Sequence, residues 1–180
     1  MSDDNFFTPV SALEMPRFAG MPNFMRLPHL TLESPRIDEV EMALVGVPWD
    51  AGTTTRPGPR HRPRRLRALS TMIRAMNPVT GVAPFTMVNC ADLGDVGPNP
   101  IDLDDSMQRI TSFYAELAAR GITPMTAGGD HLVLLPVLRG IAGSGPLGMI
   151  HFDAHTDLFD RSVGGFGDAH GTPFRRGIRE

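Results

Sequence analysis

Short apolar runs alternate with amphipathic stretches along most of this chain, and each type implies its own element. Val40 to Val47, apolar apart from Glu41 and Gly46, reads as a first strand, because near-continuous hydrophobicity suits a parallel strand buried on both faces. A loop rich in Gly, Thr and Pro carries the chain to Pro59, and Pro63 to Met76 reads as a helix with proline near its first turn. Phe85 to Val88 is expected as a second strand. Asp104 to Arg120 is the strongest helix, with Met107, Ile110, Phe113 and Leu117 on one face. Ile122 to Ala127 follows as a third strand, Leu132 to Arg139 as a helix, and Leu147 to Phe152 as a fourth strand. Strands alternating with helices predict an α/β fold, a parallel sheet flanked by helices. Residues 1–38 are rich in Pro and Phe and lack periodicity, so they are expected to form an arm lying against the body or a neighbouring subunit. Residues 39–180 then belong to one domain.

Composition narrows the function classes. The 180 residues suit a single domain with a sizeable core. A net charge of −3 supplies no global attraction to nucleic acid. All 17 basic residues are Arg, so Schiff-base, lysine-bound PLP and Walker-type phosphate chemistry have no residue to carry them. The single cysteine, Cys90, cannot form an internal disulfide and reads as a small buried side chain in a reducing compartment. The N-terminus opens on Asp3 and Asp4 with no apolar signal region, and no window approaches a membrane span, so a cytoplasmic protein without membrane or nucleic-acid partners is expected. Six arginines between Arg56 and Arg67 lack interleaved aromatics and read as a solvated helix face rather than a nucleic-acid patch. Asp92 and Asp95 read as turn residues.

The chemistry concentrates late in the chain. His151-Phe152-Asp153-Ala154-His155-Thr156-Asp157 sets four potential ligands into seven residues directly after an apolar run. Carboxylates at a buried strand end are costly unless a cation pairs with them, and a divalent metal is the simplest partner. Thr126-Ala127-Gly128-Gly129-Asp130-His131 places another histidine after a strand-like run, and ligands in open α/β sheets gather outside the carboxyl ends of strands. Phe166-Gly167-Asp168-Ala169-His170-Gly171-Thr172-Pro173-Phe174 adds a third histidine in a glycine-bounded loop.

Gly-Gly-Asp-His, Asp-Ala-His-Thr-Asp and His-Gly-Thr-Pro-Phe, in this order, resemble the signatures of the ureohydrolases, the family of arginase, agmatinase, guanidinobutyrase and guanidinopropionase. Gly46-Val47-Pro48-Trp49-Asp50, the Gly52 to Gly58 loop and Met15 to Gly20 extend the resemblance over nearly the whole chain. Met15 to Gly20, Asn99 to Leu103 and His170 to Arg176 look most like the guanidinobutyrase and guanidinopropionase branch. The resemblance implies a three-layer αβα fold and metal-dependent hydrolysis of a guanidino compound to urea and an amine. It implies two Mn²⁺ ions, with Ni²⁺ or Zn²⁺ also compatible with such ligands, and a homo-oligomer, trimer or hexamer. His131 and Asp157 would bind one metal, His155 the other, and Asp153 would lie between them, with His151 supporting the ligands rather than joining them. Asp157 would also pass a proton toward the leaving nitrogen, and His170 matches a proton-shuttling histidine, a duty suited to an imidazole whose ordinary pKa is about 6.5. Arginases carry an asparagine where this chain has Phe159, which argues against an α-amino acid substrate. It favours 3-guanidinopropionate or 4-guanidinobutyrate over agmatine, with Arg56 or Arg161 as partners for the carboxylate. Arg62 stands where the family ordinarily has glycine, a position that can require a positive φ.

Ureohydrolases draw further aspartate ligands from a later Ser-x-Asp-x-Asp-x-x-Asp-Pro segment, and none precedes Glu180. Arg175 to Glu180 reads as the middle of a helix. The resemblance therefore implies a fold incomplete at its C-terminus, and by itself a poor catalyst. Two expectations follow: the N-terminal part of a guanidino hydrolase, or a non-catalytic remnant that binds metal weakly or associates with a full-length relative.

Overall fold

The computed structural model describes residues 5–143 and 145–180; Asp3 and Asp4 lie outside the described residues. The fold is of the expected α/β class, a parallel sheet flanked by helices. Strands β1 (Met42–Val47), β2 (Cys90–Asp95) and β3 (Thr123–Gly128) join in the order β2-β1-β3, and β1 runs parallel to β2 with Met42 opposite Cys90. The α-helices are α1 (Arg62–Ser70), α2 (Leu103–Ala119), α3 (Leu134–Ala142) and α4 (Pro173–Arg179). The chain forms two compact units.

The first unit comprises Met1–Gly46, Pro63–Asp95 and Arg120–Ala127. Its core gathers Phe24, Leu27, Leu44 and Cys90, with Met42, Phe85 and Val88 packed against them. Burial pushes the Cys90 thiol up, which keeps it protonated and unreactive. The arm lies along β2: Asp92 N–H donates to Pro28 O at 2.9 Å, Leu30 N–H to Asp92 O at 3.0 Å, and Phe24 N–H to the Asp92 carboxylate at 2.8 Å. Asp92 and Asp95 are therefore not the turn residues their spacing suggests. Both lie in β2, where Arg67 grips them through Nε and Nη2 to Asp92 at 2.8 and 2.9 Å and Nη1 to Asp95 at 2.5 Å. A buried carboxylate needs such pairing, and only the register of β2 brings Arg67 within reach.

The second unit comprises Val47–Arg62, Val96–Ala119 and Gly128–Glu180. Helix α2 buries the expected Met107, Ile110 and Leu117, but Tyr114 takes the buried position expected of Phe113, which is only half-buried. Asp102 starts it by accepting the Asp105 N–H at 2.9 Å. Helix α3 packs closely on α2, its Gly140 facing Tyr114.

Three expected elements differ. Residues 147–152 form no strand: Ile150 and Phe152 are 84% and 95% exposed. An apolar run becomes a parallel strand only where both faces are covered, which a run of this length cannot specify. The expected strand at Phe85 is a 3-10 turn, Pro84–Thr86, because proline opens a turn closed by Met87 N–H to Pro84 O at 3.0 Å; the strand starts at Cys90. Helix α1 ends at Ser70 rather than Met76, since Met72, Ile73 and Met76 bury no apolar face. Arg62 is right-handed at φ −61°, so its position requires no glycine.

Candidate metal centre

The Gly128-Gly129 turn delivers His131 by a close backbone approach. Gly129 N–H donates to Val47 O at 3.2 Å and Asp130 N–H to Trp49 O at 2.8 Å, and a Cβ at Gly129 would collide with both carbonyls. Asp130 then caps the 3-10 turn His131–Val133 by accepting the Leu132 N–H at 2.7 Å, while its other oxygen accepts the Gly52 N–H at 2.8 Å. Burial pushes the Asp130 carboxyl above its usual range, against the pull of these two donors. Motif spacing assigns Asp130 no role; an aspartate immediately before a helical start is the signal for it.

His131 Nδ1 lies 3.2 Å from Asp153 Oδ2 and 3.1 Å from Asp157 Oδ2. His151 Nε2 lies 3.5 Å from the same Asp153 oxygen. Donor atoms of His131, His151, Asp153 and Asp157 all fall within 4.8 Å of one another, and these residues could hold a metal ion. Two imidazoles and two carboxylates suit a divalent cation. Asp157 is buried and holds φ +49°, a left-handed backbone unusual outside glycine. Such local strain persists only where the surroundings impose it.

His155 takes another place. Its side chain is 78% exposed and its Nδ1 lies 3.7 Å from Asp153 Oδ1, so it stands beside the opposite carboxylate oxygen, outside the group that His151 joins. The His155 N–H, 3.1 Å from that oxygen, holds the Asp153 carboxyl below its usual range. Phe174 braces the imidazoles, its ring 4.1 Å from His151 and 5.4 Å from His131. It is fixed by the Thr172-Pro173 start of α4, where Thr172 Oγ1 accepts the Ala169 N–H at 3.1 Å and donates to Ala169 O at 2.8 Å.

His170 sits on the Gly52 carbonyl, with its backbone N–H at 3.1 Å and its Nδ1 at 2.9 Å. A carbonyl only accepts, so Nδ1 carries the proton and Nε2 is left as the acceptor in the neutral ring. The loop that presents Gly52 is clasped by Asp50, which accepts Gly58 N–H at 2.7 Å, Arg60 N–H at 3.2 Å and Arg60 Nε–H at 2.6 Å. The Arg60 guanidinium holds the Asp50 carboxyl down at about 2. Phe159, expected to shape the substrate site, is largely exposed and donates its N–H to Gly171 O at 3.1 Å.

Residues 40–180 match the arginase family, and the chain belongs to that family. It is 51% identical over 172 residues to a guanidinopropionase of Pseudomonas aeruginosa, covering 96% of this chain and 53% of the relative. It is 46% identical over 182 residues to a guanidinobutyrase of the same organism, covering 99% of this chain and 56% of the relative. Among solved structures, a proclavaminate amidino hydrolase from Streptomyces clavuligerus matches with a TM-score of 0.81 at 35% identity, over 91% of this chain and 53% of that one. The chain spans about half the length of these relatives.

Proposed function

We propose that this protein hydrolyses a guanidino acid, 3-guanidinopropionate or 4-guanidinobutyrate, to urea and an amine with two bound divalent ions. The observation that carries this reading is the meeting of His131, Asp153 and Asp157 from two separate motifs. In it, His131 and Asp157 hold one ion, His155 the other, and Asp153 lies between. Support comes from Asp153, whose Oδ2 faces His131 while Oδ1 faces His155. The bound ions supply Lewis acidity and bring the pKa of water down toward neutrality, which a resonance-stabilised guanidinium requires of its nucleophile. Mn²⁺ fits the mixed carboxylate and imidazole donors, and Ni²⁺ or Zn²⁺ fit them as well.

The chain's own groups then manage protons. His170, fixed through Nδ1 on Gly52 O, presents Nε2 to accept a proton and return it to the leaving nitrogen. Asp157 shares that transfer. The names of the relatives and Phe159 in place of an arginase-type asparagine favour an acid chain without an α-amino group. The protein works as a cytoplasmic homo-oligomer in this reading; among the described residues no helix is long and apolar enough to cross a membrane.

A second reading, a metal-binding association module without catalysis, is favoured by the exposure of Ile150 and Phe152 beside the site. Urea release separates the two. The protein expressed from its own reading frame and loaded with Mn²⁺ is assayed on 3-guanidinopropionate, 4-guanidinobutyrate, agmatine and arginine. Metal-dependent urea release with the highest kcat/KM on a guanidino acid is expected. Metal bound without urea from any of the four compounds would favour the association module.

A further inference from the structure

We infer that Arg56 and Arg62 together form the subsite that receives the carboxylate of the substrate, an inference resting on the guanidino-acid reading above. A cleft of about 310 Å³ is lined by His131 and His170, by the Thr53 to Thr55 hydroxyl run, by Arg56 and Arg62, and by Asp130, whose two oxygens are taken up by the Gly52 and Leu132 N–H groups. The volume suits a small molecule. The cleft therefore joins a candidate metal ligand and the candidate proton shuttle to two guanidinium groups.

The arginines of the Arg56 to Arg67 run are not equivalent. Arg60 is committed to Asp50, and Arg67 to Asp92 and Asp95. Arg56 and Arg62 make no side-chain hydrogen bond or ion pair among the described residues. Helix α1, which Arg62 opens, has no acidic residue in its first turn to neutralise them. The clasp of Asp50 on Gly58 and Arg60 fixes the loop that carries Arg56. Arg161, the other arginine the sequence offers for this role, lines a separate cleft with Asp160, Arg176 and Arg179, where none of the metal candidates lies.

Two unpaired guanidiniums present ten N–H donors in planar forks, a shape that matches a carboxylate with two parallel hydrogen bonds. The same charges oppose a cationic tail. A substrate with guanidinium at one end and carboxylate at the other is thus held at both ends, whereas agmatine is repelled at its far end.

The test compares Arg56→Ala, Arg62→Ala and Arg62→Lys in the protein expressed from its own reading frame. Hydrolysis of 4-guanidinobutyrate is measured beside its uncharged amide, 4-guanidinobutyramide, and binding of butyrate is followed by saturation-transfer NMR. Each alanine variant is expected to lower the acid-to-amide ratio of kcat/KM by about tenfold, mainly through KM. Arg62→Lys should recover part of that loss, and butyrate binding should weaken in parallel. Equal losses on acid and amide would overturn the subsite. If the wild type hydrolyses neither compound, the catalytic reading fails and butyrate decides: binding weakened by either alanine variant sustains the subsite, and binding unchanged in both overturns it.

Discussion

Asp50 has a side chain with no exposed surface, and it accepts hydrogen bonds from two backbone N–H groups and from Arg60. Its carboxyl ionises at about 2 in the folded protein against 3.8 for the unperturbed group, chiefly through Arg60. A folded-state pKa below the unfolded one means that the contribution is complete above pH 3.8 and is lost as pH falls toward 2. It amounts to at most about 2 kcal/mol, less the screening at the partly exposed Arg60. Urea unfolding of wild type and Asp50→Asn across this range should show a stability gap that is full near pH 5 and closes toward pH 2. A gap independent of pH would mean that the loop clasp is not electrostatic. At this scale the motif spacing pointed directly to His131, Asp153 and Asp157. Spacing alone could not separate His151 from His155, which only the family resemblance told apart, because alternation along a run says which residues share a face only if the run is a strand, and residues 151–157 are not one.

Elements impose sign as well as size on a substitution. Gly140 lies inside α3, where alanine would normally favour the helix by up to about 1 kcal/mol. Here the added Cβ would meet Tyr114 Cβ at 2.6 Å and Thr111 O at 2.7 Å on α2, and relieving such overpacking costs about 1 to 3 kcal/mol. Gly177 in α4 offers the contrast, since a Cβ there would reach only Leu138 Cδ1 at 3.4 Å. Gly140→Ala should therefore destabilise the protein and Gly177→Ala leave it unchanged or slightly stabilise it, as read from denaturant midpoints; a stabilised Gly140→Ala would show that α2 and α3 do not pack this tightly. Helix α2 was legible because its apolar face repeats over four turns. The arm along β2 was not, because its hold is a set of backbone and carboxylate hydrogen bonds to Asp92 rather than a periodic apolar face.

For the molecule as a whole, metal and folding should be linked. An ion that binds only the folded state adds about 2.7 kcal/mol when present at a hundred times its Kd. Mn²⁺ should therefore raise the thermal midpoint and chelation should reverse the rise. Asp153→Asn, which removes the carboxylate facing both His131 and His155, should abolish most of the effect and lower the metal content measured by mass spectrometry. A midpoint indifferent to Mn²⁺ with wild-type metal content in Asp153→Asn would sink the role given to that residue. The sequence alone determined the fold class, the long helix, the family and the principal ligand candidates, because these rest on periodicity and on residue types set at fixed short spacings. Tertiary structure alone decided that Asp130 ties the His131 turn to Gly52, that Asp92 holds both the arm and Arg67, and that Arg56 and Arg62 share a cleft with His131. Each of these joins residues distant in the chain, and such contacts depend on how elements pack, which local patterning does not encode.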